Sequence, residues 1–92
     1  MKKIYAIYES VHMNEGKPIA YLSSMNKAID YIKANIDTNN PIVTQMNDSY
    51  YWHNTQVYDK KEMFNKKTIE NKRFYIDKIR STALLIKTIN VE

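Results

Sequence analysis

Met25, Ala28, Ile29, Ile32 and Ile36 recur at i, i+3, i+4, i+7 and i+11, the spacing of one apolar stripe on an α-helix. Asn26, Lys27, Asp30 and Lys33 fall on the other side. Such a helix must lay its stripe on something apolar, and the segments around it have the character of strands rather than of further helices. Ser23 or Ser24 precedes the stripe as an N-cap, where a hydroxyl can accept from a free amide of the first turn. Asp37-Thr38-Asn39-Asn40-Pro41 closes it, because a proline restricts the residue before it to extended conformations.

Residues 2–10 are rich in Ile and Tyr and free of turn residues, which predicts a strand. Ile4, Ala6 and Tyr8 share one face; Tyr5 and Ile7 share the other. Asn14-Glu15-Gly16 is the turn signal, and residues 18–22 form the returning strand of a hairpin. Pro18 cannot donate to a ladder and belongs at a strand start or on an edge. Ile42–Met46 is expected as a third strand, Asn47-Asp48-Ser49 as a turn, and Tyr50–Tyr58 as a fourth strand. Asp59-Lys60-Lys61-Glu62 has capping-box spacing, so a helix begins there. Carried to Ile79, it would scatter Met63, Phe64, Ile69, Phe74, Tyr75 and Ile76 around its circumference. The helix is therefore stopped near Thr68, with strands at 73–79 and 83–91; one long helix is the alternative. The expected fold is α+β: a small antiparallel sheet packed on one or two helices, in a single domain spanning 1–92. The stripe is expected to face a sheet built around Ile4, Ala6, Ile19 and Tyr21.

Composition narrows the chemistry. The 92 residues include no Cys and one Gly, which removes disulfides, thiolate nucleophiles, Cys-based zinc sites and glycine-rich phosphate loops. No apolar run approaches the roughly 20 residues that span a bilayer, and Met1-Lys2-Lys3 is not followed by a secretory apolar stretch. A cytoplasmic location without membrane contact is expected. His12 and His53 are the only histidines, far apart in the chain, so a two-histidine metal site is not expected. No Ser, His and Asp arrangement has local context. The chain is read as a non-enzyme, with no catalytic residues, cofactor or metal.

The net charge of +4 comes from 14 Lys+Arg against 10 Asp+Glu, and it is uneven. Residues 1–58 balance, while residues 59–80 hold 8 basic and 4 acidic side chains. Just before this segment lies Tyr50-Tyr51-Trp52-His53. Aromatics beside lysines suit stacking and phosphate contacts on single-stranded nucleic acid. The same residue types also fill small cores and the centres of protein interfaces. Lys-heavy, Arg-poor usage argues against bidentate phosphate or base recognition. Eight Tyr and five Met exceed what one small core absorbs. Tyr31, off the helical stripe, is expected to be exposed.

Lys, Ile, Asn and Tyr together supply 42 residues, all encoded by AT-rich codons. The opening hairpin followed by Leu22-Ser23-Ser24-Met25-Asn26-Lys27-Ala28-Ile29-Asp30-Tyr31-Ile32 resembles small proteins of unknown function from phages and low-GC bacteria. These open with a Tyr-rich strand, a second strand ending in serine, and a helix containing Lys-Ala-Ile. The resemblance covers residues 3–36. It implies a non-enzymatic accessory protein of a class that includes inhibitors of host defence systems and host enzymes. The expected function is thus a protein-binding module, a phage-encoded inhibitor whose partner is a host protein. Tyr51, Trp52, His53, Lys60, Lys61, Lys66 and Lys67 form the expected contact surface. The rival is a nucleic-acid-binding module using the 50–53 cluster and the 59–80 segment. A homodimer is the simplest cover for an edge or face that a sheet this thin leaves open.

Overall fold

The computed structural model describes residues 2–12, 14–46, 54–77 and 79–91. The expected Asn47-Asp48-Ser49 turn and the Tyr50–His53 cluster lie outside them.

The strand-rich opening becomes β1 (Lys2–Val11) and β2 (Asn14–Leu22). Val11 pairs with Asn14, so the chain reverses between them, earlier than the Asn-Glu-Gly signal. His12 takes a φ of 51° there, a left-handed conformation suited to a tight hairpin. Gly16 serves a different purpose. A Cβ at this position would stand 2.6 Å from the Glu9 carbonyl oxygen, in the stretch where β2 bulges against β1, so close backbone approach selects glycine.

The capped stripe becomes α1 (Met25–Asn35). Ser24 Oγ accepts from the Lys27 amide at 3.1 Å, which satisfies one free donor of the first turn. Ile36 is the C-cap. The remaining elements are β3 (Val43–Met46), β4 (Asn54–Val57), the one-turn helix α2 (Lys60–Met63), a 3-10 turn at Ile69–Asn71, β5 (Lys72–Asp77) and β6 (Thr82–Val91). The break after residue 68 and the two closing strands follow the expected division. The helix before it is shorter than expected, because the chain leaves the helix at Phe64.

All strand pairings are antiparallel, and the sheet order is β2-β1-β6-β5-β3-β4. The long central pair β1–β6 runs from Lys2 opposite Val91 to Val11 opposite Thr82. The fold is α+β, with the helices on one face. Among the described residues no helix is long and apolar enough to cross a membrane.

The core lies between that face and α1. Ile7, Val43, Phe74, Leu84 and Ile86 from the sheet meet Ala28, Ile29 and Ile32 from the helix, with Val57, Met63 and Ile69 closing one end. This corrects the expected sheet face. Ile7 pairs with Ala20 and Tyr5 with Leu22, and these four residues belong to the core side. Ile4, Ala6 and Tyr21 are on the opposite face, and Ile19 sits in a β-bulge, 46% exposed. Both faces of β1 are apolar, so alternation alone could not choose between them. Tyr31 is also corrected: it is half-buried against the core rather than exposed.

Ile32 is 0% exposed at the centre of the stripe. Its replacement by Ala removes methylenes from the helix–sheet contact and should cost about 2–4 kcal/mol in denaturant unfolding. A loss below about 1 kcal/mol would contradict this packing.

Candidate binding site

The charged segment after β4 divides into two populations. Lys60, Lys61, Lys66 and Lys67 are exposed and form no ion pair among the described residues. Lys72 and Arg73, which the sequence groups with them, are 0% and 3% exposed. These two therefore leave the cationic surface. They occupy successive positions in β5, so their side chains enter opposite faces of the sheet.

Lys72 shares the face of Phe74 and runs under the α2 segment. Its ammonium donates to the Glu62 carbonyl, to Thr68 Oγ1 at 2.7 Å and to Glu62 Oε1 at 3.4 Å. Three oxygens thus satisfy its three donors, which is what a buried ammonium requires. Thr68 Oγ1 donates to the same Glu62 Oε1 at 3.2 Å, and Asn65 Nδ2 holds Oε2 at 3.3 Å. The expected reciprocal capping box is therefore not formed. Asp59 does cap α2, accepting from the Lys61 amide at 2.9 Å, but Glu62 turns toward Lys72 and the following loop. This cluster fixes the loop that carries the exposed lysines.

A second tie joins the loop to the core. Phe64 stacks on Phe74 with ring centroids 5.5 Å apart and planes 16° from parallel. Lys33 of α1 places its ammonium 4.8 Å from the Phe64 centroid, adding a fifth exposed cation beside the segment. On the β4 side, Tyr58 is 79% exposed and donates from its hydroxyl to Gln56 Oε1 at 3.3 Å. The structure thus gathers Lys33, Tyr58, Lys60, Lys61, Lys66 and Lys67 around a fixed loop.

Of the expected contact residues, Lys60, Lys61, Lys66 and Lys67 are exposed. Tyr51, Trp52 and His53 lie outside the described residues. Sequence reading passed over Tyr58 and Lys33. A signal for Tyr58 existed: Val57 is buried at the strand end, so strand alternation turns the next ring outward. Nothing in the sequence linked Lys33 to Phe64, since only the tertiary packing of α1 beside α2 brings them together.

Elsewhere, Ile42, Thr44, Gln56, Tyr75 and Ser81 line a depression of about 310 Å³ on the sheet face away from α1. Its polar side chains are uncharged. Among the described residues no three His, Asp or Glu side chains cluster as metal ligands.

The hydrogen bonds from Asn65 and Thr68, with the nearby Lys72 charge, hold the Glu62 carboxyl below its ordinary range. A carboxyl depressed in the folded state contributes stability that is complete above its unfolded value, about 4.3–4.5, and is lost as pH falls from there through the lower folded-state value. Unfolding measured against pH for the wild type and Glu62→Gln should therefore show a constant difference above about pH 5 that shrinks in more acid solution. A difference independent of pH would contradict the role given to the Glu62 charge.

No family model, curated protein or solved structure matches this chain, so the site is read from its own geometry.

Proposed function

We propose that the protein is a non-enzymatic binding module that docks on an acidic surface of a protein partner through Tyr58, Lys60, Lys61, Lys66 and Lys67. The observation that carries this reading is the pairing of exposed lysines, which form no ion pair among the described residues, with a loop anchored from beneath by Lys72. A pre-ordered loop loses little conformational freedom on docking, and that loss is a main cost of association. An exposed tyrosine among cations supplies the amphipathic ring that interface centres favour. The cations would guide encounter and set specificity more than they add affinity. Inhibition of a host protein, as the resemblance to small phage proteins implies, needs only such occlusion and no chemistry.

A second reading is supported by the same tyrosine. Tyr58 stands within three residues of Lys60 and Lys61, so a base could stack on the ring while phosphates meet the ammoniums. The scarcity of Arg places this second.

Two measurements separate the readings. Fluorescence anisotropy with single-stranded DNA and RNA oligonucleotides should show no measurable binding at physiological salt. Affinity capture from the native host should retain a protein with the wild type and lose it with Lys60→Glu and Lys61→Glu combined, at unchanged melting temperature. A micromolar or tighter oligonucleotide complex, with log K falling by about 0.7–0.9 per phosphate against log salt and weakened by Tyr58→Ala, would replace the first reading by the second.

A further inference from the structure

The depression on the sheet face away from α1 lies at the end of the sheet where the chain leaves β4 for the lysine loop. It is lined by Ile42 and Thr44 at the start of β3, Gln56 of β4, Tyr75 of β5 and Ser81 of the β5–β6 turn. The Ile42 carbonyl accepts from the Tyr75 amide at 3.0 Å, which carries the β3–β5 ladder one residue past Val43. Alternation then places Ile42, Thr44 and Tyr75 on one face, and Gln56 stands opposite Thr44.

Two exposed side chains border this hollow. Tyr58 is tied to Gln56 through its hydroxyl. Ile79, two residues before Ser81, is 95% exposed. Its turn is fixed: Asp77 Oδ1 accepts from the Ile79 and Arg80 amides at 3.0 and 3.3 Å, and the Ser81 carbonyl accepts from the His12 amide at 3.2 Å. A ring and an isoleucine held out in solvent on either side of a pocket form the rim of a contact site.

Volume, polarity and charge restrict the occupant. The hollow measures about 310 Å³, at the lower limit of sites that enclose whole small ligands, roughly 300–1,000 Å³, and it suits one large side chain. Ile42 and the Tyr75 ring offer an apolar wall to an aromatic ring, while the hydroxyl and amide groups offer partners to a polar tip. Thr44 Oγ1 is buried without a hydrogen-bond partner. A polar occupant relieves that shortfall once the hydroxyl turns toward it about χ1. No lining side chain is charged, and Arg73, opposite Thr44 on the same face, disfavours a cationic anchor. Lys60 and Lys61 follow Tyr58 by two and three residues, and the intervening Asp59 is engaged in capping α2. Residues next to the anchor therefore meet cations.

We propose that the hollow receives a tyrosine side chain set in an acidic segment of the protein partner. The ring fills the hollow between Tyr58 and Ile79, and neighbouring carboxylates reach Lys60 and Lys61. This inference rests on the reading of the lysine loop as a docking surface for an acidic partner, and it adds the anchor that rim charges alone do not supply.

Blocked peptides with Tyr, Phe, Glu or Ala between two pairs of glutamates test it, titrated into the isotope-labelled full chain. The tyrosine peptide should shift the amide signals of Thr44, Gln56 and Tyr75 saturably and bind roughly tenfold or more tightly than the alanine peptide. Thr44→Val should weaken the tyrosine peptide several-fold and leave the phenylalanine peptide unchanged. It should not lower the melting temperature, because the hydroxyl it removes has no partner in the chain. Lys60→Glu combined with Lys61→Glu should weaken every peptide. Equal binding of the tyrosine and alanine peptides, still lost with the lysine pair, would overturn the anchor and leave the acidic-partner reading standing. No shift with any peptide, at the hollow or at the lysines, would overturn both. Adenosine or uridine shifting the same three amides more strongly than the tyrosine peptide would assign the hollow to a nucleobase and overturn the proposal.

Discussion

The buried ammonium of Lys72 is the interaction on which the arrangement of the cationic loop depends. A charge with no solvent exposure is stable only where neighbouring oxygens replace its water. Here those oxygens come from Glu62, at the end of α2, and from Thr68, before the 3-10 turn. Both belong to the short, irregular segment between β4 and β5, which has little regular structure of its own. Lys72 is fixed by β5, so the sheet reaches through this side chain into the loop and holds it. Ile69, 0% exposed, and Phe64 on Phe74 add apolar contacts at either side. The exposed lysines are thereby displayed from a fixed base instead of from a loose chain.

This anchoring sets what was legible in the sequence. The α1 stripe with its Ser24 cap, the opening hairpin and the two closing strands follow from periodicity and turn chemistry, which are local. The division near Thr68 followed from the same logic, since a helix carried to Ile79 would scatter Met63, Phe64, Ile69, Phe74, Tyr75 and Ile76 around its circumference. What was not legible needed tertiary information. Lys72 and Arg73 look like neighbours of Lys66 and Lys67 in a charge count, and only their place in β5 buries them. Glu62 has capping-box spacing, but a buried ammonium offers it a stronger partner than a backbone amide. For β1, two apolar faces left the choice of core side to the neighbouring strands, and Ile7 with Ile86 took it.

A sheet covered by helices on one side only usually turns polar residues to the other. In this chain Ile4, Tyr8, Ile89 and Tyr21 stand there instead, around a neutralised Lys87–Glu15 pair. The legible part of the candidate site was its charge; its location, its anchoring and the ring of Tyr58 came from the fold.

Lys72 holds the loop while contributing little to the rest of the sheet. Hydrogen exchange resolved along the chain, comparing wild type with Lys72→Met, tests it most directly, because exchange reports local opening separately from global unfolding. Faster exchange is expected for the amides of residues 60–71, with unchanged protection in α1 and in the β1–β6 pair. Unaltered protection throughout 60–71, or an equal loss in every element, would contradict it.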